Sequence, residues 1–295
     1  MTPDRFGHFV AIDWSGAAGP RQKGIAAALA LAEGGPPVLL RAGQAWSRED
    51  MLAMLRDDLP DDAIVGLDLG ISLPFMDCGA FFPRWPESPA DARALWQLVD
   101  TICASDPHLG VTSFVDHPQA SRYFRRNGGR EGDRFRCDRA EHGRGRFRIA
   151  EARQAVMGCK PYSNFNLVGA AQVGKSSLTG MRVLNRLRGA VSVWPVDPIP
   201  ATGPVIVEIY TALAAIAAGR SAARTKITDG SELDSALAAL GSPVIGSREP
   251  IDDHSADALL TAAWLRENAG REELWHPEGL TDLVARTEGW TFGAP

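Results

Sequence analysis

The chain is poor in cysteine. Its four, Cys78, Cys103, Cys137 and Cys159, are widely separated and form no CxxC pair. That spacing argues against a disulfide framework and against a zinc ribbon. Long apolar runs are also missing. The most apolar segment, residues 208–219, is too short and too interrupted to cross a bilayer. The opening MTPDRFGHF lacks a basic start followed by an apolar stretch, so no secretory signal is expected. No internal repeat and no low-complexity tail occur. These absences predict a cytoplasmic protein with free thiols and no membrane partner.

What is present is ordinary globular composition, with 45% hydrophobic and 23% charged residues. The 295 residues suffice for one large domain or two small ones. The net charge of -5 is unevenly placed. Between Arg122 and Arg153 stand 11 Arg and 5 acidic residues, a local excess of +6 that leaves -11 elsewhere. Such asymmetry suggests an anionic partner more than the total does.

Three apolar runs end on a carboxylate: Val10 to Asp13, Ile64 to Asp68 and Val205 to Glu208. Each reads as a buried strand delivering an acid at its C-terminal end. Gly24 to Leu31 and Val38 to Trp46 read as two further strands around the turn EGGPP. Ser47 to Asp50 resembles a capping box, with Met51, Leu52 and Leu55 on the apolar face of the helix behind it. The first seventy residues thus read β-β-β-α-β. Helices are expected over Asp91 to Ala104, Arg148 to Met157, Leu178 to Leu187 and Asp229 to Leu240. A short strand is expected over Phe165 to Val168. A helix over Asp253 to Asn268 places Asp253, Asp257, Leu260 and Trp264 on one face.

Carboxylates gathered from separate elements repel unless a cation sits among them. A pair of divalent ions is the usual solution, and it suits phosphoryl chemistry. Asp and Glu without Cys point to the hard cations Mg²⁺ or Mn²⁺.

Three strands, a helix and a fourth strand are how the ribonuclease H-like fold begins. VAIDWSG resembles the first-strand motif of that superfamily, whose Asp binds the catalytic metals. IVGLDLGISLP, VIVEIYTAL, DDHSADALLTAAW and the ending TEGWTFGAP resemble segments of a predicted nuclease family called domain of unknown function 429. The resemblance covers both ends of the chain and leaves the middle weakly matched. It implies that Asp13, Asp68, Glu208 and Asp257 or Asp253 ligate two metals. The acids on the last helix are four apart here, where the family pattern often has three, so the choice between Asp253 and Asp257 stays open.

Three other readings compete. Gly169 to Ser176 fits the phosphate-loop pattern GxxxxGK[ST], which would make Lys175 and Ser176 nucleotide ligands. Against it, the motif lies past mid-chain and no good partner strand follows. DWSGAAG and LDLGIS could be the phosphate loops of an actin- or sugar-kinase-like ATPase, but that fold duplicates its core and the chain is short for two copies. Tyr123, Phe124, Phe135 and Phe147 interleave with Arg, a pattern that suits a non-catalytic nucleic-acid binder. Cys137 and His142 lack two further ligands for zinc. His117 and His254 are read as surface or capping residues ahead of acid/base roles.

The sequence therefore predicts an α/β protein with a ribonuclease H-like mixed sheet flanked by helices. Residues 1–73 and 203–295 form its core, and residues 74–202 are a large insertion over the acidic site. The expected activity is metal-dependent phosphodiester hydrolysis. Asp13, Asp68, Glu208 and Asp257 would be catalytic, Asp253 a further candidate ligand, and Lys175, Ser176 and the Arg-rich stretch would hold phosphates. The partner would be nucleic acid or a phosphorylated small molecule.

Overall fold

The computed structural model describes residues 5–137, 144–168, 173–221 and 225–295 of the chain. The elements run β1 (His8–Asp13), β2 (Ala26–Leu31), β3 (Val38–Leu40), α1 (Arg48–Asp57), β4 (Ala63–Asp68), α2 (Ala92–Ile102) and α3 (Thr112–Val115). The short strands β5 (Arg125–Arg126) and β6 (Arg130–Glu131) follow, then α4 (Ile149–Val156), α5 (Val173–Arg186), β7 (Ser192–Trp194) and β8 (Val205–Glu208). The chain closes with α6 (Thr211–Ala217), α7 (Gly230–Ala239), α8 (Asp253–Asn268), α9 (Glu272–Trp275) and α10 (Asp282–Thr287).

Six strands form one mixed sheet in the order β3-β2-β1-β4-β8-β7. β2 runs antiparallel to β1 and to β3, while β1, β4, β8 and β7 are mutually parallel. The near-continuous apolar sequences of β1 and β4 follow from burial on both faces. Alternate residues serve opposite layers. Val10, Ile12, Val65 and Leu67 pack with α1, α2 and α5 on one face. Phe9, Ala11, Ile64 and Val207 pack with α6, α7 and α8 on the other.

α8 lies directly on the central strands, and its small residues Ala256, Ala258, Ala262 and Ala263 permit the close approach. Gly66 on β4 serves the same fit: a Cβ there would stand 2.7 Å from Ile209 and 3.0 Å from Leu265.

The capping box at Ser47 is present in full. The Ser47 hydroxyl accepts from the Asp50 N–H at 2.9 Å, and the Asp50 carboxylate accepts from the Ser47 N–H at 3.2 Å. Two expected strands are shorter or absent. Val38 to Trp46 pairs in the ladder only over Val38–Leu40. Phe165 to Val168 contributes a single bridge, Asn166 with Arg125, outside the main sheet.

The expected division of the chain also changes. Residues 74–202 supply β7 at the edge of the main sheet, and α2 and α5 cover one of its faces. The C-terminal segment threads back: Phe292 N–H donates to the Glu208 carbonyl at 2.8 Å, and the Glu288 carboxylate accepts from Phe75, Met76 and Ile149 N–H groups. The middle of the chain is thus part of the layered body. Among the described residues no helix is long and apolar enough to cross a membrane.

Candidate active site

Asp13 closes β1, Asp68 closes β4, and the two are register partners in parallel strands. Both carboxylates leave the sheet side by side at its C-terminal edge. In open α/β sheets that edge is where ligand crevices form. Asp257 reaches the same cleft from α8, one turn inside the helix, whose N-cap is Asp252. The cleft holds about 350 Å³, and Ser176, Lys160, Tyr162, Tyr210 and Lys226 also line it.

These three acids disturb one another. Asp13 is only 6% exposed. Burial raises its pKa, while a 2.8 Å hydrogen bond with His254 Nδ1 works against the rise. Asp68 lies deep in the cleft yet keeps some solvent contact. Burial, then the charges of Asp13 and Asp257, push it well above the usual carboxylate range, against a 3.2 Å hydrogen bond from the Thr211 hydroxyl. The Asp257 carboxylate makes no hydrogen bond or ion pair among the described residues. Burial, then the charge of Asp13, lift it to about 7. His254 is raised by its contact with Asp13.

The structure distinguishes the two acids of the last helix. Asp253 pairs with the Lys226 ammonium, which holds its carboxyl low. Asp257 keeps its lone pairs open, so it is the better donor to a cation in the cleft.

Glu208 does not share that openness. Its Oε1 accepts from Arg148 Nη2 at 2.5 Å and from the Thr291 hydroxyl at 2.5 Å. Its Oε2 accepts from Arg148 Nη1 and from the Ile71 N–H, both at 2.8 Å. All of its acceptor sites are used, and its charge is neutralised inside the protein. Glu208 lines the same cleft, but as a buried residue held by Arg148.

The donor chemistry of Asp13, Asp68 and Asp257 suits a hard divalent cation. As oriented, however, no three His, Cys, Asp or Glu side chains among the described residues stand close enough to hold an ion. The His254 contact occupies only Oδ2 of Asp13, at 2.8 Å.

The expected phosphate-binding residues split. Lys175 and Ser176 are consecutive in the first turn of α5, yet Ser176 lines the carboxylate cleft and Lys175 lines a neighbouring one. Gly169 to Gln172 lie outside the described residues, as does His142. Because Phe165 to Val168 is not a sheet strand, the strand-loop-helix context of a phosphate loop is not met among the described residues.

Most described arginines between 122 and 153 are committed internally. Arg146 is buried against Asp77 at 2.6 Å, and Arg148 against Glu151 and Glu208. Arg122 pairs with Asp133, and Arg136 with Glu131 at 3.1 Å. Tyr123, Phe124 and Phe135 are core residues, so they offer no surface for stacking bases.

His254, Lys226 and Thr211 also line the site, beyond the acids that the sequence pattern marks. The only available signals were the position of His254 inside DDHSAD and of Thr211 directly behind VIVEIY. His117 matches its expected local role: it stacks on Trp85, and its Nδ1 accepts from the Gln119 N–H at 3.3 Å. Neither family models, nor curated proteins, nor solved structures yield a match to this chain.

Proposed function

We propose that this protein is a divalent-metal-dependent hydrolase of phosphate esters, with nucleic-acid phosphodiesters the favoured substrate, built on a ribonuclease H-like fold. One observation carries the reading. Three carboxylates from three elements, Asp13, Asp68 and Asp257, share one cleft, and all three have raised pKa values. A buried acid cluster of this kind is stable when a cation or protons join it. The fold reading draws support from three strands, a helix and a fourth strand placed beside the first.

Mg²⁺ or Mn²⁺ would be held by Asp13, Asp68 and Asp257, with Asp253 kept back by Lys226. When bound, a pair of such ions polarises the phosphoryl group and activates water. The chain's own residues do the rest. Lys226 and Lys160 bring positive charge to the cleft wall for a phosphate. His254 is half-buried and holds its proton above the ordinary histidine value, so it is placed to protonate a leaving oxygen. Arg148 and Glu208 keep their part of the cleft lining rigid.

The test is thermal denaturation with and without Mn²⁺, followed by cleavage assays on single- and double-stranded nucleic acid. Wild type is expected to melt higher with the ion, since a ligand that binds only the folded state stabilises it. Asp13→Asn, Asp68→Asn and Asp257→Asn should lose most of that shift and all cleavage. Asp253→Asn should keep most of the shift. A wild type that ignores Mn²⁺ over a wide concentration range would sink the proposal.

A further inference from the structure

A second cleft, of about 390 Å³, adjoins the carboxylates. The loop after β1 and the first turn of α5 divide the two. Trp14 and Ser176 line the carboxylate side, and Gly16 and Lys175 line the other. The partition is tight: a Cβ on Gly16 would stand 2.6 Å from the Lys175 backbone.

Arg48 lines this second cleft and is 1% exposed. Its Nη1 donates to the His108 carbonyl at 2.9 Å. Its Nη2 donates to the Ser15 carbonyl at 2.9 Å and the Ala17 carbonyl at 2.5 Å. Its Nε has no partner among the described residues, and no described carboxylate forms an ion pair with it. Buried charges are almost always paired, because desolvating an unpaired one is costly. Burial accordingly depresses the Arg48 pKa to about 10.

Three more cations line the cleft, of which Arg126 is paired with an acid. Lys175 is half-buried and Arg130 exposed, and neither side chain has a hydrogen bond or ion pair among the described residues. The two acids on the wall are already engaged. Asp106 accepts from Ser113 N–H at 2.8 Å and Ser113 Oγ at 2.6 Å, and Asp116 faces Arg126 at 3.4 Å. The lining has small Gly and Ala residues and no Phe, Tyr or Trp, so it favours a charged group over a stacked base.

We propose that this cleft binds a phosphate group, carried by a nucleic-acid strand or by a small phosphorylated ligand, with Arg48, Lys175 and Arg130 as its counter-charges. The site goes beyond the metal reading and needs no metal.

The test runs in EDTA. Pyrophosphate binding is measured by calorimetry, and binding of a 5′-phosphorylated and an unphosphorylated single-stranded oligonucleotide by fluorescence anisotropy. Lys175→Ala and Arg130→Ala are each expected to weaken binding about tenfold, the usual cost of losing a charge-assisted contact. Both residues lie away from the buried core, and unchanged melting temperatures confirm intact folding. Asp13→Asn should bind as wild type does, which separates this site from the carboxylates. Pyrophosphate binding with that sensitivity identifies a free phosphate as ligand. Oligonucleotide binding alone, with the same sensitivity, identifies the strand. Wild-type affinity in the Lys175→Ala/Arg130→Ala double variant, or no binding of any probe by wild type, overturns the proposal.

Discussion

At the scale of single residues, Asp257 and Glu208 are opposites. The folded pKa of Asp257 is about 7, against an ordinary value of 3.8. Between those values the folded state binds more protons than the unfolded one. Stability from this group therefore falls as pH rises through that window, by up to about 1.4 kcal/mol per unit. Asp257→Asn should raise the melting temperature at pH 8, change it little at pH 4, and flatten the decline between. A melting series over pH checks this, and a variant that melts below wild type at pH 8 would contradict it. Glu208→Gln should do the reverse. It leaves Arg148 paired with Glu151 but turns an amide N–H₂ toward buried donors, and should cost about 2 kcal/mol in urea denaturation near neutral pH. The sequence showed that an acid ends each of these strands. It could not show which acid is spoken for, because Arg148 meets Glu208 from 60 positions away. Arg148 itself read as one of many phosphate-binding cations and is instead a buried counter-ion.

At the scale of elements, local chemistry was the reliable guide. The Ser47 capping box and the limits of α8 follow from short-range hydrogen bonding and helical periodicity. Strands fared less well. A β-rich stretch becomes a strand only when a neighbour takes its backbone hydrogen bonds, and Phe165 to Val168 finds only one bridge. The contact between the β1–β2 loop and α5 was likewise invisible. It yields a prediction. Gly16→Ala places a methyl 2.6 Å from Lys175 and Ser176 backbone atoms, so the loop or the helix must shift. Overpacking of this kind costs about 1–3 kcal/mol. The variant should melt lower and should also weaken pyrophosphate binding. A melting temperature equal to that of wild type would show that the loop yields freely.

At the scale of the whole molecule, residues 74–202 are structural. Removing residues 74–191 and joining the flanks would uncover the sheet face formed by Val10, Ile12, Val65 and Leu67. It would also delete Arg148 and leave Glu208 buried without its counter-ion. The shortened chain should show no cooperative unfolding by circular dichroism. A sharp transition would restore the view of that segment as a dispensable insertion. What the sequence determined by itself is what depends on near neighbours and on alternation: the helices, the buried central strands and the carboxylates at their ends. Only the tertiary structure decided that Asp13, Asp68, Asp257 and Glu208 share a cleft and that Arg148 engages Glu208 alone among them. It alone also decided that Lys175 and Ser176 face different clefts. Those outcomes turn on which charges become neighbours after chain segments far apart in sequence pack together, and a carboxylate's role depends on that company.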